Sequence, residues 1–314
     1  MFNPYHSEPA KIVKIISQTD NIKLFRFEFT QKVWGYNFSF EPGQIIELSL
    51  PGFGEAPFAP CSAPPHQNWC GGAPDAKYLE LCVRNTGGRL TKQLHALRIG
   101  DKVGIRGPYG VGWPKLHNSH PERSEGSPAN AGFNLASARD SSAAPRNDTK
   151  IKNVLIVVGG LGLVPLRTLI LGKDKFWGKD AKIQIFYGAK TPEEFLFRDE
   201  FDAWRKNGVE IDLTVDKECV GWNDCVGMVT TLFDKCQITN NTQAFLCGPP
   251  IMYKFVLEKL KNLNISDENI FLSLERRMHC GIGVCQHCAV GSYYTCKDGP
   301  IFSWAQIKDI PGAI

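Results

Sequence analysis

The sequence predicts an N-terminal antiparallel β-barrel followed by an α/β domain with a doubly wound parallel sheet, and then a small cysteine-rich appendage. Three observations carry this. Residues 11–50 alternate apolar and polar side chains with period two, punctuated by turns. Beyond residue 151, continuous apolar runs alternate with helical ones, the pattern of strands covered on both faces. Four cysteines, Cys280, Cys285, Cys288 and Cys296, crowd the last segment. The boundaries read 1–114, 115–150, 151–270 and 271–314.

Composition narrows the function classes. A chain of 314 residues with 43% hydrophobic and 22% charged residues can bury more than one core. Its net charge of +4 is small, and no run of Lys or Arg marks a nucleic-acid or membrane surface. The first residues lack an apolar leader core, and no stretch of about 18 apolar residues is present to span a bilayer. The expected location is cytoplasmic. Of the 11 cysteines, Cys82 and Cys247 lie inside apolar runs, as buried free thiols of a reducing compartment do. Cys219 and Cys225 fall in a Gly/Trp/Asn-rich loop.

Taken in order, strands are expected at residues 11–16, 23–29, 44–50, 78–84 and 102–106, with Pro42-Gly43 as one turn. Thr86-Gly87-Gly88-Arg89-Leu90-Thr91 leads into a short helix whose free amides, with Arg84 nearby, suit a pyrophosphate; a plain turn is the alternative. Residues 115–149 lose all periodicity and carry too little apolar surface to offset ordering entropy. They read as a disordered insertion whose deletion leaves activity intact. In the second half, strands are expected at 154–158, 182–187, 209–215, 244–247 and 270–274, and helices at 192–206, 229–236 and 252–263. Gly159-Gly160-Leu161-Gly162 turns from a strand into a helix with Pro165 near its start. That is where a dinucleotide pyrophosphate sits, although G-x-G-x-x-G has Gly where Pro165 stands.

The cysteines read C-x4-C-x2-C-x7-C. The first two gaps match those of a plant-type [2Fe–2S] cluster held by thiolates. Gly281 and Gly283 let the loop bring its amides close to the sulfurs. A four-cysteine zinc site is the alternative, though it usually shows paired C-x2-C spacings; disulfides are another. His279 and His287 raise a Rieske-type site, but with four cysteines present they read as neighbours of the cluster.

Together the segments resemble the ferredoxin–NADP reductase superfamily. The likeness rests on Gly159-Gly160-x-Gly162-x-x-Pro165, on the run from Tyr187 to Phe201, and on Cys247-Gly248-Pro249-Pro250-x-Met252. With residues 273–280 and 296–303 added, the chain is most similar to the flavoprotein (γ) subunits of cytoplasmic NAD(P)-linked [NiFe] hydrogenases. The corresponding subunit of anaerobic sulfite reductase and the electron transfer subunit of dihydroorotate dehydrogenase are near relatives. The resemblance implies electron passage between NAD(P)H and a partner redox subunit through FAD and a [2Fe–2S] cluster, with no side-chain acid or base required. It assigns Phe58, Ala59, Pro60, Cys61, Ser62, Cys82, Val83, Arg84, Gly87, Gly88, Leu90 and Thr91 to the flavin. It assigns Gly159, Gly160, Gly162, Pro165, Cys247, Gly248 and Pro249 to the nicotinamide nucleotide, and Cys280, Cys285, Cys288 and Cys296 to the metal. The family's flavin run R-x-Y-S aligns with Ala56-Pro57-Phe58-Ala59: Phe58 can stack, but the Arg and Ser are absent. Pyrophosphate binding then leans on Gly87–Thr91 and Arg84. Lys190, Arg198 and Arg205 are candidates to meet the 2′-phosphate of NADP. A self-sufficient reductase for a ferredoxin or oxygenase, and a zinc-bearing adaptor without flavin, are the other readings.

Overall fold

The computed structural model describes residues 3–30, 38–63, 78–116 and 152–314. The expected insertion at 115–150 lies, from residue 117 on, outside the described residues.

The N-terminal part is a six-stranded antiparallel sheet. Strands β1 (Glu8–Thr19) and β2 (Ile22–Phe29) form a hairpin, as do β3 (Ile45–Leu50) and β4 (Gly54–Phe58). Then come β5 (Tyr78–Arg84), helix α1 (Arg89–Ala96) and β6 (Lys102–Tyr109), giving the order β4-β3-β6-β1-β2-β5. A bridge between Pro60 and Leu81 joins the chain beyond edge strand β4 to the other edge strand, β5. Period two decides the faces. Leu79, Leu81 and Val83 of β5 point into a core with Phe25, Phe27, Ile46, Leu48 and Ile105, closed by Leu90 and Leu94 of α1. Cys82 is buried on the other side, in the core it shares with the second sheet. Strand β4 was not legible in the sequence: Gly-Glu-Ala-Pro-Phe carries no alternation, and its Pro57 is tolerated because the strand is an edge.

The second part is a seven-stranded sheet built from β7 (Asn153–Gly159), β8 (Lys182–Ala189), β9 (Val209–Val215), β10 (Cys225–Val226), β11 (Thr242–Cys247) and β12 (Ile270–Ser273), all parallel. A further strand from the cysteine-rich segment completes it. That segment forms a small hairpin of β13 (Ala289–Val290) and β14 (Tyr293–Tyr294), then β15 (Ile301–Ser303), which pairs antiparallel with β12. The order is β10-β9-β8-β7-β11-β12-β15. The sheet is therefore not wholly parallel, and the C-terminal segment is hydrogen-bonded into it rather than appended. Helices α2 (Val164–Leu171), α3 (Lys173–Phe176) and α4 (Phe201–Lys206) cover one face, packing with Ile156 and Val158. Helix α5 (Pro250–Asn262) covers the other, with Leu155, Val157 and Leu246. Helix α6 (Trp304–Ile307) closes the chain with a capping box at Ser303.

Two expected helices are shorter and tighter than their apolar spacing indicates. Residues 192–206 break into 3-10 turns at Pro192–Glu194 and Arg198–Glu200 before α4, because Phe197 adopts φ 55 between them. Val229–Asp234 is a 3-10 turn, its β-branched Val229, Thr230 and Thr231 disfavouring a full helix. Cys225 lies in a strand instead of a loop. Among the described residues no helix is long and apolar enough to cross a membrane.

A buried ionic chain joins the two sheets. Arg167 of α2 donates to Glu80 of β5 at 2.8 Å, to the Cys61 carbonyl at 2.8 Å and to Glu200 at 2.6 Å, and Glu80 also accepts from Arg26 at 2.7 Å. Burial alone pushes the Glu80 carboxyl up, and the two guanidiniums more than reverse it. Next to Arg167, the Thr168 hydroxyl donates to the Ser62 carbonyl at 3.0 Å. The loop after β4 is thereby held on α2.

Candidate functional site

The parallel strands reverse their order between β7 and β11, and their carboxyl ends open on a cavity of about 520 Å³. After β7 the chain passes through a 3-10 turn, Gly160–Leu163, into α2. Gly160 has φ 53, and its carbonyl accepts the Tyr187 hydroxyl at 3.0 Å. At Gly162 a Cβ would fall on the carbonyl of Cys247, so only glycine lets the turns after β7 and β11 touch. Arg84 at the end of β5, Thr86 just beyond it and Glu275 beyond β12 also line the cavity. Arg84 Nε is buried without a hydrogen-bond partner among the described residues, and Nη2 lies 3.7 Å from where a Cβ on Gly160 would sit. A guanidinium with an open donor beside a glycine turn fits an anionic phosphate. Gly162→Ala is expected to destabilise the fold by about 1–3 kcal/mol through overpacking and to weaken nucleotide binding. Melting and nicotinamide titration check this; unchanged midpoint and affinity would contradict it.

Of the residues assigned to the nicotinamide nucleotide, Gly159, Gly160, Gly162, Gly248 and Pro249 line this cavity. Pro165 is buried in α2, its carbonyl accepting the Trp113 indole N–H at 3.2 Å. Cys247 is buried at the end of β11, and burial pushes its thiol up to about 12. The residues assigned to the flavin are dispersed. Arg84 reaches the cavity; Phe58 packs half-buried against the N-terminal core, and Ala59 and Pro60 lead from β4 to the bridge with β5. Cys61 and Ser62 fasten that loop: the Cys61 amide and thiol donate to the Glu80 carbonyl at 2.9 and 3.3 Å, and Ser62 Oγ accepts the Glu80 amide at 3.2 Å. Cys82 is buried, its thiol pushed up by the adjacent Cys61 thiol and by desolvation. Val83 and Leu90 point into the core, leaving only their backbone for a ligand. Gly87 donates to Asn85 Oδ1 at 3.0 Å, Gly88 precedes the first turn of α1, and the Thr91 and Thr86 hydroxyls pair at 3.0 Å.

The cysteine loop wraps its own sulfurs in amides. Cys280 Sγ accepts from Ile282, Val284 and Cys285 at 3.4, 3.4 and 3.5 Å, and Cys296 Sγ accepts from Gly283 at 3.2 Å. Cys288 and Cys296 bring their sulfurs to 3.3 Å, and all four stand as free thiols. Desolvation pushes the Cys280 thiol up, and the three amides outweigh it and hold it below its ordinary value. The Cys285 thiol is lowered chiefly by the His287 amide. Burial and the Cys288 thiol push Cys296 up to about 12. The sulfurs thus stand as two pairs, 280 with 285 and 288 with 296. Among the described residues no three His, Cys, Asp or Glu side chains converge on one ion. The His279 and His287 rings pack edge to face at 4.3 Å beside the loop.

What holds this loop is a group the sequence did not reveal. Arg106 of β6, 5% exposed, donates to the carbonyls of Cys280 and His279 at 2.8 and 2.7 Å, to the Tyr109 hydroxyl at 2.9 Å, and to Glu55 of β4. Gly281, at φ 79, lies flat on Tyr109; a Cβ there would come within 2.9 Å of the ring. Arg106, Tyr109 and Glu55 are unremarkable in their own strands, so no local signal marks the clamp.

Beside it, Glu47 of β3 is 1% exposed, and both its carboxylate oxygens are unpartnered among the described residues. It pairs across the sheet with Arg106 and faces Glu55, Tyr109 and the Cys280 and Cys285 thiols. Desolvation, then Glu55, pushes its carboxyl up to about 8. A carboxyl raised on folding is protonated in the folded state, so its contribution is present below the unfolded value and is lost as pH rises through the folded one. Stability is therefore expected to fall between pH 5 and 8 by about 1.4 kcal/mol per unit from this group. Glu47→Gln should flatten that profile in chemical denaturation; an unchanged slope would contradict the assignment.

Comparison with known proteins agrees with this construction. Residues 156–258 match the oxidoreductase NAD-binding domain, and residues 275–308 match the iron–sulfur cluster binding domain of dihydroorotate dehydrogenase B. In a solved NADH-dependent reduced ferredoxin-NADP oxidoreductase, one chain superposes with a TM-score of 0.64 at 21% identity, covering 98% of this chain and 93% of that one. The fold is thus ferredoxin-reductase-like, a β-sheet domain, an α/β domain and an iron–sulfur segment, and the class is NAD(P)H-dependent oxidoreductase. Sulfhydrogenase 2 subunit gamma of Pyrococcus furiosus is 35% identical over 99% of this chain and 100% of its own length. The chain belongs to the family of sulfhydrogenase gamma subunits. A probable dihydroorotate dehydrogenase B electron transfer subunit of the same organism is 29% identical over 91% of this chain and 86% of its own.

Proposed function

We propose that the protein passes electrons between NAD(P)H and a partner redox subunit by way of FAD and a [2Fe–2S] cluster, as the gamma subunit of a hydrogenase. The observation that carries this is the Arg106 clamp: the cysteine loop is fastened to the same sheet whose Arg84 opens on the nucleotide cavity. A bound flavin takes two electrons as hydride and releases them singly, which is what joins a nicotinamide to an iron–sulfur centre.

The chain's own residues supply positions. Gly159–Gly162 present a turn to the nucleotide pyrophosphate, and Arg84 offers it an open donor. Pairing of Cys280 with Cys285 and of Cys288 with Cys296 supports one pair of thiolates per iron. The amides on Cys280 and Cys296 favour the charged form of those sulfurs. Val284, 67% exposed between Gly283 and Cys285, marks the side from which a partner reaches the cluster. The Pro60–Leu81 bridge, from the chain just beyond β4 to the other edge strand β5, supports reading the N-terminal sheet as a flavin-binding barrel. We take residues 1–114, 151–270 and 271–314 as the corresponding units and the four cysteines as the metal ligands.

The match at 275–308 favours one second reading, an electron transfer subunit for dihydroorotate dehydrogenase. Protein prepared without air should carry flavin with about two irons and two acid-labile sulfides per chain and reduce a viologen dye with a nicotinamide. Colourless protein holding zinc would overturn the proposal. Copurification with a nickel-bearing subunit separates the hydrogenase reading from the pyrimidine one.

A further inference from the structure

Strand β5 and helix α2 touch at two rungs, and only one of them reaches the nucleotide cavity. Period two puts Glu80, Cys82 and Arg84 on one face of β5, the face turned toward α2 and away from the N-terminal core. Glu80 makes the first rung, accepting from Arg167 of α2 at 2.8 Å. Four residues along the strand, about 13 Å, Arg84 makes the second. Its Nη2 stands 3.7 Å from where a Cβ on Gly160 would sit, and Gly160 opens the turn that runs straight into α2. The first rung has one geometry. Arg167 is 8% exposed: its Nη1 is shared between Glu80 and the Cys61 carbonyl, both at 2.8 Å, while Nε and Nη2 grip Glu200 at 2.9 and 2.6 Å. Its Cζ lies 4.5 Å from the Phe197 ring centroid. A planar fork can bridge two carboxylates at once, whereas an ammonium on a flexible stem does not fix both. Glu80 is held from its other side by Arg26 at 2.7 Å. While Arg167 stands, β5 keeps its height on α2.

Resting on the reading of this cavity as a nucleotide site, we infer that Arg167 is a positioning residue: it holds Arg84 against the Gly160–Leu163 turn, so that a dinucleotide pyrophosphate is gripped from both sheets at once. Arg167 itself does not line the cavity. It acts through the strand. The turn offers backbone amides from the second sheet, and Arg84 brings from the first a guanidinium whose Nε is buried and has no partner among the described residues. If β5 slips along α2, the amides stay and the guanidinium leaves them. The pyrophosphate belongs to NAD(P) or to FAD, and the two sources are separated by which ligand weakens when the first rung is cut.

The test is a double-mutant cycle on the intact protein with Arg84→Met, Arg167→Lys and the two combined. Affinities for NAD+, NADP+ and FAD are read by calorimetry and flavin titration, with KM and with kcat per bound flavin for ferricyanide reduction alongside. A hydrogen bond to a charged group is worth about ten- to a hundredfold in binding, so Arg84→Met should weaken the ligand whose pyrophosphate it meets by at least about tenfold. Arg167→Lys should weaken the same ligand by a similar factor. The double variant should bind within about twofold of Arg84→Met alone, because an arginine already removed is not misplaced by cutting the rung. Where the ligand is the nicotinamide nucleotide, the loss should fall on KM with kcat kept within about twofold, which a mere loss of folded protein does not give. If Arg167→Lys does not fold, Glu80→Gln carries the same cycle, keeping the shape of the carboxylate without its charge, with a loss of at least about threefold. Factors that multiply in the double variant, or affinities that cutting the rung leaves unchanged, overturn the inference and leave the proposed function standing. Wild-type protein that binds none of the three ligands overturns both.

Discussion

Cys288→Ser and Cys296→Ser are each expected to lose the iron–sulfur centre while retaining nicotinamide oxidation. These sulfurs lie 3.3 Å apart, and Cys296 also holds the Gly283 amide, so the loop has no spare thiolate to take the place of either. Even changes beyond the ligands commonly cost 10- to 100-fold in metal affinity or activity; losing a ligand should reduce transfer to a protein acceptor by about a hundredfold or more. Oxidation of the nicotinamide by ferricyanide should persist, because the cavity at the β7 and β11 ends owes none of its lining to these cysteines. Iron analysis together with the two assays checks the prediction. Undiminished transfer to the protein acceptor, or parallel loss of both activities, would count against it.

Arg106→Met is expected to have the next largest effect, on stability and on passage of electrons into the loop. Its guanidinium is buried and satisfies two loop carbonyls, the Tyr109 hydroxyl and Glu55. Removing it leaves the Cys280 carbonyl and the Tyr109 hydroxyl without that donor, at about 1–3 kcal/mol for each buried group left unpaired. Glu55, whose side chain keeps 29% of its surface in solvent, is hydrated once the guanidinium is gone. With the clamp gone the cysteine loop keeps its own amides and its strand β15 but loses its seat on β6. Denaturation should show the loss, and cluster reduction by nicotinamide should slow while ferricyanide reduction stays near wild type. A variant as stable as the wild type, with transfer unchanged, would show that the clamp is incidental.

How much of this the sequence disclosed depends on the range of the interaction. The alternation in β1, β2, β3 and β5 and the apolar runs of β7, β8, β9 and β11 are local, and the strands lie where they were expected. The glycine turn and the cysteine spacing are local too, and each is confined to one segment. What was missed depends on distant partners. Arg106 meets Cys280 across 174 residues of chain, and Glu47 owes its raised carboxyl to burial between strands and to Glu55 and the cysteine loop. Strand β4 was hidden by Pro57, and the Val229–Asp234 turn by an apolar spacing that a 3-10 helix shares with an α-helix over so few residues.

The pairing of a nucleotide cavity with a clamped cysteine loop is most directly examined by adding NADH anaerobically to the purified protein and recording low-temperature electron paramagnetic resonance. The account predicts a reduced-cluster signal approaching one spin per chain, absent from Cys288→Ser. Protein that oxidises NADH with ferricyanide yet yields no iron-centred signal and retains zinc at the four cysteines would contradict it.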